Sequence, residues 1–104
     1  MADKIYRMRI FEDENERMNL SLPQVGGEIL SISQFTLYAD CKKGNRPSFS
    51  LAGERHHAEK MYLYFNEYMR SLGLKVDEGI FGADMKVRLL NDGPVTIILD
   101  SSEW

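Results

Sequence analysis

The chain has 104 residues, of which 43% are apolar and 28% are charged, and its formal net charge at pH 7 is -3. This length fits one globular domain with a modest core, and no apolar run approaches the roughly 20 residues of a membrane helix. A net negative charge argues against a protein that coats nucleic acid with its whole surface, although it leaves room for a local basic contact. The single cysteine, Cys41, cannot form an internal disulfide. We interpret it as a passive free thiol and expect a cytoplasmic protein.

The first half of the chain predicts a short helix, a polar turn and one long strand. The helix ends within residues 3–9, and residues 13–16 are all polar. A strand is predicted over residues 28–38, but its apolar face moves from even to odd positions at Ser33-Gln34. Since a strand has a period of two, this change indicates a bulge or a bend, or else a strand buried on both faces.

A loop over residues 40–50 leads into the best helix of the chain, predicted over residues 55–72. Its apolar side chains recur at helical spacing, and Gly73 follows as a C-terminal stop. We interpret this stripe as core rather than as a cofactor site. Its members are Ala58, Met61, Tyr62, Phe65, Met69 and Leu72.

The last third predicts strands. One begins at about Leu74, apolar residues alternate over residues 85–89, and residues 95–99 are almost continuously apolar. Strands before and after one good helix predict a mixed α/β or α+β domain.

Motifs for common catalytic chemistry are absent from the sequence. One cysteine and the adjacent His56-His57 pair do not provide the spacing of zinc ligands, and we expect both histidines on the surface. There is no P-loop, no G-x-G-x-x-G, no Ser-x-x-Lys and no G-x-S-x-G. The residues alone therefore predict no metal, no cofactor and no side-chain nucleophile with its base.

Three segments are chemically unusual. Residues 33–37 place polar groups where the strand pattern changes. Residues 91–96 contain a Gly-Pro pair, which removes a ladder donor and permits unusual dihedrals, or simply makes an ordinary turn. A basic cluster of Lys42, Lys43 and Arg46 either neutralises two or three phosphates or is a solvated loop.

Four motifs in order resemble the D-aminoacyl-tRNA deacylases, or D-tyrosyl-tRNA deacylases. The family carries S-Q-F-T-L-Y, a basic K-K-G-N-R-P-x-F loop, F-G-A-x-M and N-D-G-P-V-T. These motifs occupy residues 33–38, 42–49, 81–85 and 91–96 here. The resemblance covers essentially the whole chain, and the shared order of four motifs leaves little room for chance agreement.

The chain departs from the family pattern at its start. Family members usually begin with a further segment that contains a strand and a hairpin, and this sequence lacks it. The resemblance therefore implies an α/β fold of β/β/α layers, a mixed β-sheet with packed helices, without the N-terminal strand and hairpin. We expect residues 1–104 to form a single, N-terminally shortened domain of this type.

The resemblance also implies an obligate homodimer with two sites at the interface. Each site would join residues 33–37 of one subunit to the Gly93-Pro94 turn of the other, and the basic cluster would meet the phosphates of the tRNA acceptor end. Residues expected to bind substrate, including the terminal adenosine, are Ser33, Phe49, Phe81, Met85, Asn91 and Thr96.

The implied reaction is hydrolysis of the ester of D-aminoacyl-tRNA, and of glycine mischarged on tRNA-Ala, without a cofactor. Gln34, Phe35 and Thr36 are the expected catalytic residues. Backbone N–H groups of Phe35 and Thr36 would stabilise the oxyanion by about 3–4 kcal/mol. Because no base accompanies Thr36, we expect it to position the substrate rather than to attack it.

The Gly93-Pro94 pair is expected to select the handedness of the amino acid. An X-Pro bond is cis in about 5–6% of folded cases, and the resemblance favours cis here. The two carbonyls of the Gly-Pro pair would then accept hydrogen bonds from the amino group of the bound amino acid. With its amino and ester groups both fixed, an L side chain would strike the turn. The alternative function is a tRNA-binding or structural dimer, catalytically weakened because the N-terminal segment is absent.

Overall fold

The computed structural model describes residues 1–93 and 95–104. In this part of the chain, no helix is long and apolar enough to cross a membrane. The mixed α/β class predicted from the sequence is confirmed. Its elements are α1 (Ala2–Arg7), β1 (Phe11–Glu12), β2 (Met18–Leu20), a 3₁₀ turn (Pro23–Val25), β3 (Ile29–Ser31), a 3₁₀ turn (Phe35–Tyr38), α2 (Arg55–Ser71), β4 (Val76–Glu78) and a 3₁₀ turn (Ser101–Glu103).

Strands β1 and β2 form an antiparallel hairpin whose turn is held by one aspartate. The Asp13 carboxylate accepts hydrogen bonds from the backbone N–H groups of Arg17 (3.1 Å) and Asn15 (2.8 Å). These donors lower the pKa of Asp13 because they favour its charged form. The polar turn predicted over residues 13–16 is confirmed.

Strands β3 and β4 pair in parallel, with Ile29 opposite Val76 and Ser31 opposite Glu78. Parallel neighbours require a long crossover connection, and α2 forms the regular part of that connection. The strand predicted from about Leu74 therefore exists, although it begins two residues later.

The core lies where α2 and α1 pack around the β3–β4 pair. Its buried apolar side chains are Leu22, Met69, Leu74 and Val76. The Tyr68 hydroxyl donates a 2.6 Å hydrogen bond to the Asp3 carboxylate and so joins α2 to α1. This bond raises the pKa of Tyr68, because the phenolate would face a carboxylate.

Both ends of α2 agree with the sequence prediction. The Glu54 carboxylate accepts hydrogen bonds from the backbone N–H groups of His56 (2.8 Å) and His57 (2.9 Å), which lowers the pKa of Glu54. Gly73 follows the helix with a φ of 91°, a left-handed conformation that favours glycine. The predicted core stripe is confirmed at Phe65, Met69 and Leu72, whereas Met61 is exposed and Ala58 and Tyr62 lie outside the core.

The strand predicted over residues 28–38 is wrong beyond Ser31. There the chain leaves the β3–β4 pair and forms the 3₁₀ turn Phe35–Tyr38. The partner strand also ends opposite Ser31, so later residues have no ladder to continue. The pattern change at Ser33-Gln34 thus marks the end of a strand, neither a bulge within it nor burial on both faces.

The strands predicted over residues 85–89 and 95–99 are also wrong, since both segments are irregular. Backbone groups in a strand need hydrogen-bond partners from a neighbouring strand. None of the described strands pairs with these two segments. Apolar side chains in both are open to solvent, with Leu89 exposed to 67% and Ile98 to 86%.

Candidate functional site

The 3₁₀ turn after β3 holds two unpaired backbone donors. The N–H groups of Phe35 and Thr36 stand at its first two positions, where a helix offers no internal acceptor. Neither group has a hydrogen-bond acceptor elsewhere in the described chain. Two adjacent donors of this kind suit a developing oxyanion. The sequence predicted open amides here from an irregular strand, whereas a 3₁₀ turn supplies them.

The side chains of Gln34 and Thr36 bond to each other. The Gln34 amide donates a hydrogen bond to the Thr36 hydroxyl oxygen. Within residues 1–93 and 95–104, no histidine, lysine or carboxylate is bonded to this hydroxyl, so a nucleophilic Thr36 would have no base. The arrangement suits positioning by Thr36 better than attack.

Four aromatic rings collect around the 3₁₀ turn. Phe35 and Phe49 meet edge to face with their centroids 5.4 Å apart, and Tyr62 lies 6.1 Å from Phe81. The Tyr62 hydroxyl donates a 2.6 Å hydrogen bond to the carbonyl of Ser31, where β3 ends. The end of the strand therefore fixes one ring of the group.

Two adjoining cavities, of about 260 and 380 Å³, lie among these rings. The first reaches Ser33, Gln34 and Tyr62. The second reaches Arg55 and Gly82. We call the two together the aromatic cleft. The residues that line both cavities are Phe35, Gly53, Ala58 and Phe81. Flat apolar walls with few polar groups are typical of small-ligand sites.

Met85 lies beside the strand end that also holds Tyr62. Its sulfur packs against Gly79 so closely that a Cβ at Gly79 has no room. The Gly79 N–H in turn donates a 3.3 Å hydrogen bond to the Ser31 carbonyl. The F-G-A-x-M motif is thereby anchored to the end of β3, with Phe81 lining the cleft.

The basic cluster projects from a loop that is closed at its base. Asp40 and Ser48 exchange two backbone hydrogen bonds, of 2.7 and 2.8 Å, around residues 41–47. Lys42, Lys43 and Arg46 are exposed, and none forms an ion pair with a described carboxylate. Phe49 follows directly, so the loop joins the cluster to the ring that contacts Phe35.

The N-D-G-P-V-T motif lines another cavity. Asn91 and Gly93 border a space of about 520 Å³ next to the β1–β2 hairpin. Gly93 has a φ of 60°, which favours glycine. Pro94, and with it the expected cis bond, lies outside the described residues. Thr96 is exposed on the irregular segment that follows. Within one chain, the described residues of this motif that line a cavity therefore lie at a different cavity from the aromatic cleft.

Tyr62 and Arg55 line the cleft and were not predicted as site residues. Tyr62 was predicted as part of the core stripe. The hydroxyl of a half-buried tyrosine needs a hydrogen-bond partner, and this need is a sequence signal for a role outside the core. Arg55 carried no signal at all, because its neighbours in the cleft come from distant segments. In the described part of the chain, no three His, Cys, Asp or Glu side chains gather as a metal site. His56, His57 and Cys41 are exposed.

A family model described as D-Tyr-tRNA(Tyr) deacylase matches residues 1–100. The chain belongs to this family. The resemblance of the four motifs is thereby confirmed. The D-aminoacyl-tRNA deacylase of Bifidobacterium animalis subsp. lactis is 61% identical over 103 residues, which are 99% of this chain and 65% of that protein. The Thermus aquaticus protein of the same name is 55% identical over 103 residues, or 99% and 68% of the two chains.

A solved structure also resembles this member of the deacylase family. The c-Myc DNA Unwinding Element Binding Protein superposes with a TM-score of 0.83 at 44% sequence identity. The superposition covers 97% of this chain and 69% of the other. The chain therefore spans about two thirds of the length of these three proteins.

Proposed function

We propose that this protein hydrolyses the ester bond of D-aminoacyl-tRNA, releasing the amino acid and free tRNA. The observation that carries the proposal is the pair of unpaired N–H groups at Phe35 and Thr36, which belong to the turn that borders the aromatic cleft. Membership of the D-Tyr-tRNA(Tyr) deacylase family supports the same reaction. A role in translation proofreading would place the protein in the cytoplasm.

The reaction needs little from side chains. An aminoacyl ester beside a protonated amine is already labile, so water can attack its carbonyl carbon without a protein nucleophile. The carbonyl oxygen becomes an oxyanion, which the two N–H groups would bind. When the oxyanion reforms the carbonyl, the C–O bond to the ribose breaks, and the leaving ribose oxygen takes up the proton that the attacking water gives up. Removal of one such donor typically costs about 2.7–4 kcal/mol of transition-state stabilisation. The 2′-OH of the terminal ribose would orient the water, and Gln34 with Thr36 would position the ester.

The tRNA would bind by its acceptor end. The terminal adenosine would occupy the aromatic cleft, near Phe49, Phe81 and Met85. The exposed basic cluster, with no described carboxylate paired to it, would meet nearby phosphates. Ser33, which lines the cleft, would contact the substrate as well.

Selection of the D form would require a second subunit. Residues 1–104 would form one domain, and two copies would bring the Gly93-Pro94 turn of one to Gln34 and Phe35 of the other, with Asn91 and Thr96 beside it. The separate cavities of the two motifs within a chain support this arrangement. Rejection of L substrates would come from backbone, so several D-amino acids and glycine would be hydrolysed.

A second candidate is binding of nucleic acid without hydrolysis. The exposed basic cluster supports it, and so does the name of the structurally similar c-Myc DNA Unwinding Element Binding Protein. Such a protein would retain its affinity for an acceptor stem and release no amino acid.

One assay separates the two candidates. The protein is incubated with D-tyrosyl-, L-tyrosyl- and glycyl-tRNA, while sedimentation at micromolar concentration reports its oligomeric state. We expect a dimer that deacylates the D-tyrosyl and glycyl forms and spares the L-tyrosyl form. Tight binding of all three without release of amino acid would favour the second candidate. Equal rates for D- and L-tyrosine would refute the selection by the turn.

A further inference from the structure

Arg55 differs from two other arginines at the edge of the packed part of the protein, Arg70 and Arg9. The Arg70 guanidinium donates to the Glu67 carboxylate at 2.6 Å and to the Val76 carbonyl at 2.7 Å, so it is committed to the fold. Arg9 donates to the Asn19 side chain at 3.0 Å. Arg55, by contrast, has no hydrogen-bond acceptor and no ion-pair partner within residues 1–93 and 95–104.

The guanidinium of Arg55 borders the aromatic cleft. Arg55 lines the 380 Å³ cavity together with Phe35, Phe81 and Gly82. A Cβ at Gly82 would come within 3.0 Å of Nη2 of Arg55, so the glycine lets the guanidinium approach the backbone of the F-G-A-x-M motif. The φ of Gly82 is 75°, which also favours glycine. The charge is thus held at one side of a cavity with aromatic walls.

The start of α2 itself does not provide this anion site. Arg55 is its first residue, but the backbone N–H groups of His56 and His57 are already occupied by the Glu54 carboxylate. The free donors at this end of the cleft are therefore those of the guanidinium. A planar guanidinium binds phosphate oxygens in pairs, which a lysine ammonium does not do.

We propose that Arg55 binds the 5′-phosphate of a nucleotide whose base lies in the aromatic cleft. Aromatic walls suit a flat base, and an unpaired guanidinium at the edge suits the phosphate that continues the chain. This assignment rests on the proposed function, in which that nucleotide is the 3′-terminal one of tRNA. Arg55 is then a positioning residue, since it contacts the substrate away from the ester.

The test compares 5′-AMP with adenosine, because the two differ by the phosphate alone. Binding to the full chain is measured by calorimetry, with nuclear magnetic resonance shifts of the cleft residues as a second readout. We expect 5′-AMP to bind about tenfold more tightly than adenosine. Arg55→Gln should abolish this preference and leave the affinity for adenosine unchanged. Arg55→Lys should retain part of the preference.

Arg88→Gln is the matched control, because it removes one exposed arginine that has no described ion-pair partner and lines neither cavity of the cleft. It should keep the full preference for 5′-AMP. The assignment is overturned if Arg55→Gln retains that preference or if it weakens the binding of adenosine as much as that of 5′-AMP. It is also overturned if the unmodified chain binds neither ligand.

Deacylation is measured separately. Phosphate binding that depends on Arg55, without hydrolysis of D-tyrosyl-tRNA, would refute the proposed function and leave the assignment of Arg55 intact.

Discussion

The β3–β4 pair with its helices and the two segments over residues 85–89 and 95–99 all have apolar patterns, yet they differ sharply in structure. In the first region apolar side chains of the helices and strands pack against one another, and Met69 is completely buried. In the second region alternating apolar residues remain irregular, with Leu89 exposed to 67%. Alternating apolar residues therefore form a strand only where another strand is present to pair with them.

The largest expected effect separates these two regions directly. Met69→Ala removes a fully buried side chain and should lower the free energy of unfolding by about 2–5 kcal/mol. Ile98→Ala removes an exposed side chain and should change it by less than about 0.5 kcal/mol. Urea unfolding of the two variants measures both values. A cost for Ile98→Ala as large as that for Met69→Ala would show that the segment is packed in solution.

The basic loop is intermediate between the two regions, because it is fixed at its base and exposed at its tip. Replacing Lys42, Lys43 and Arg46 together by Gln should weaken the binding of an acceptor-stem RNA. The slope of log affinity against log salt should fall by about 0.7–0.9 for each phosphate that the variant no longer neutralises. Fluorescence anisotropy across a salt series measures this slope.

The control for that experiment is the double variant Lys75→Gln, Lys86→Gln. The ammonium groups of these lysines already lie 3.8 Å from Glu28 and 3.6 Å from Asp84. Their removal should leave the slope nearly unchanged. An equal fall in both variants would mean that the basic cluster makes no specific contact with phosphate.

A smaller effect on stability is expected at the start of α2, where the Glu54 carboxylate caps the helix. Glu54→Ala removes the acceptor for two backbone N–H groups and should lower the melting temperature at neutral pH. Because the pKa of Glu54 is lowered in the folded state, its contribution is complete above the ordinary value of 4.5 and is lost as pH falls through the lowered pKa. The melting difference between Ala variant and parent should therefore shrink in acid. A difference that is constant with pH would exclude the charged cap.

The smallest effect is expected at the 3₁₀ turn, where the packed region ends. Thr36→Ala deletes the hydroxyl bonded by Gln34 and leaves the backbone N–H in place. The single-turnover rate of D-tyrosyl-tRNA hydrolysis should fall by less than about tenfold, whereas deletion of a nucleophile costs several orders of magnitude. Complete loss of hydrolysis in a correctly folded variant would identify Thr36 as the nucleophile.

Local signals in the sequence predicted the elements that depend on them. The start of α2, its glycine stop and the polar turn over residues 13–16 each depend on a few consecutive residues. The ends of strands did not follow from the sequence. The length of β3 is set by β4, more than forty residues later, so the pattern change at Ser33-Gln34 could not distinguish a bulge from the end of a strand.

The shared motifs supplied the residues of the candidate site. Ser33, Gln34, Phe35 and Phe81 belong to these motifs and line one cleft, and their roles in catalysis and binding stay predictions. The origin of the open amides was different from the prediction, because a 3₁₀ turn and a bulged strand give similar apolar patterns over five residues. Arg55 could not be predicted, since its approach to Gly82 is a tertiary contact between residues far apart in the sequence.

We infer that the backbone N–H groups of Phe35 and Thr36, rather than a side chain, provide the main stabilisation for the hydrolysis. The most direct measurement replaces the amide N–H of Thr36 with an ester oxygen in a semisynthetic chain, for which the single Cys41 provides a ligation junction. This change removes one donor and keeps every side chain. We expect single-turnover hydrolysis of D-tyrosyl-tRNA to fall by about 10²–10³-fold, while the chain remains folded. A rate within twofold of the all-amide chain would contradict this inference.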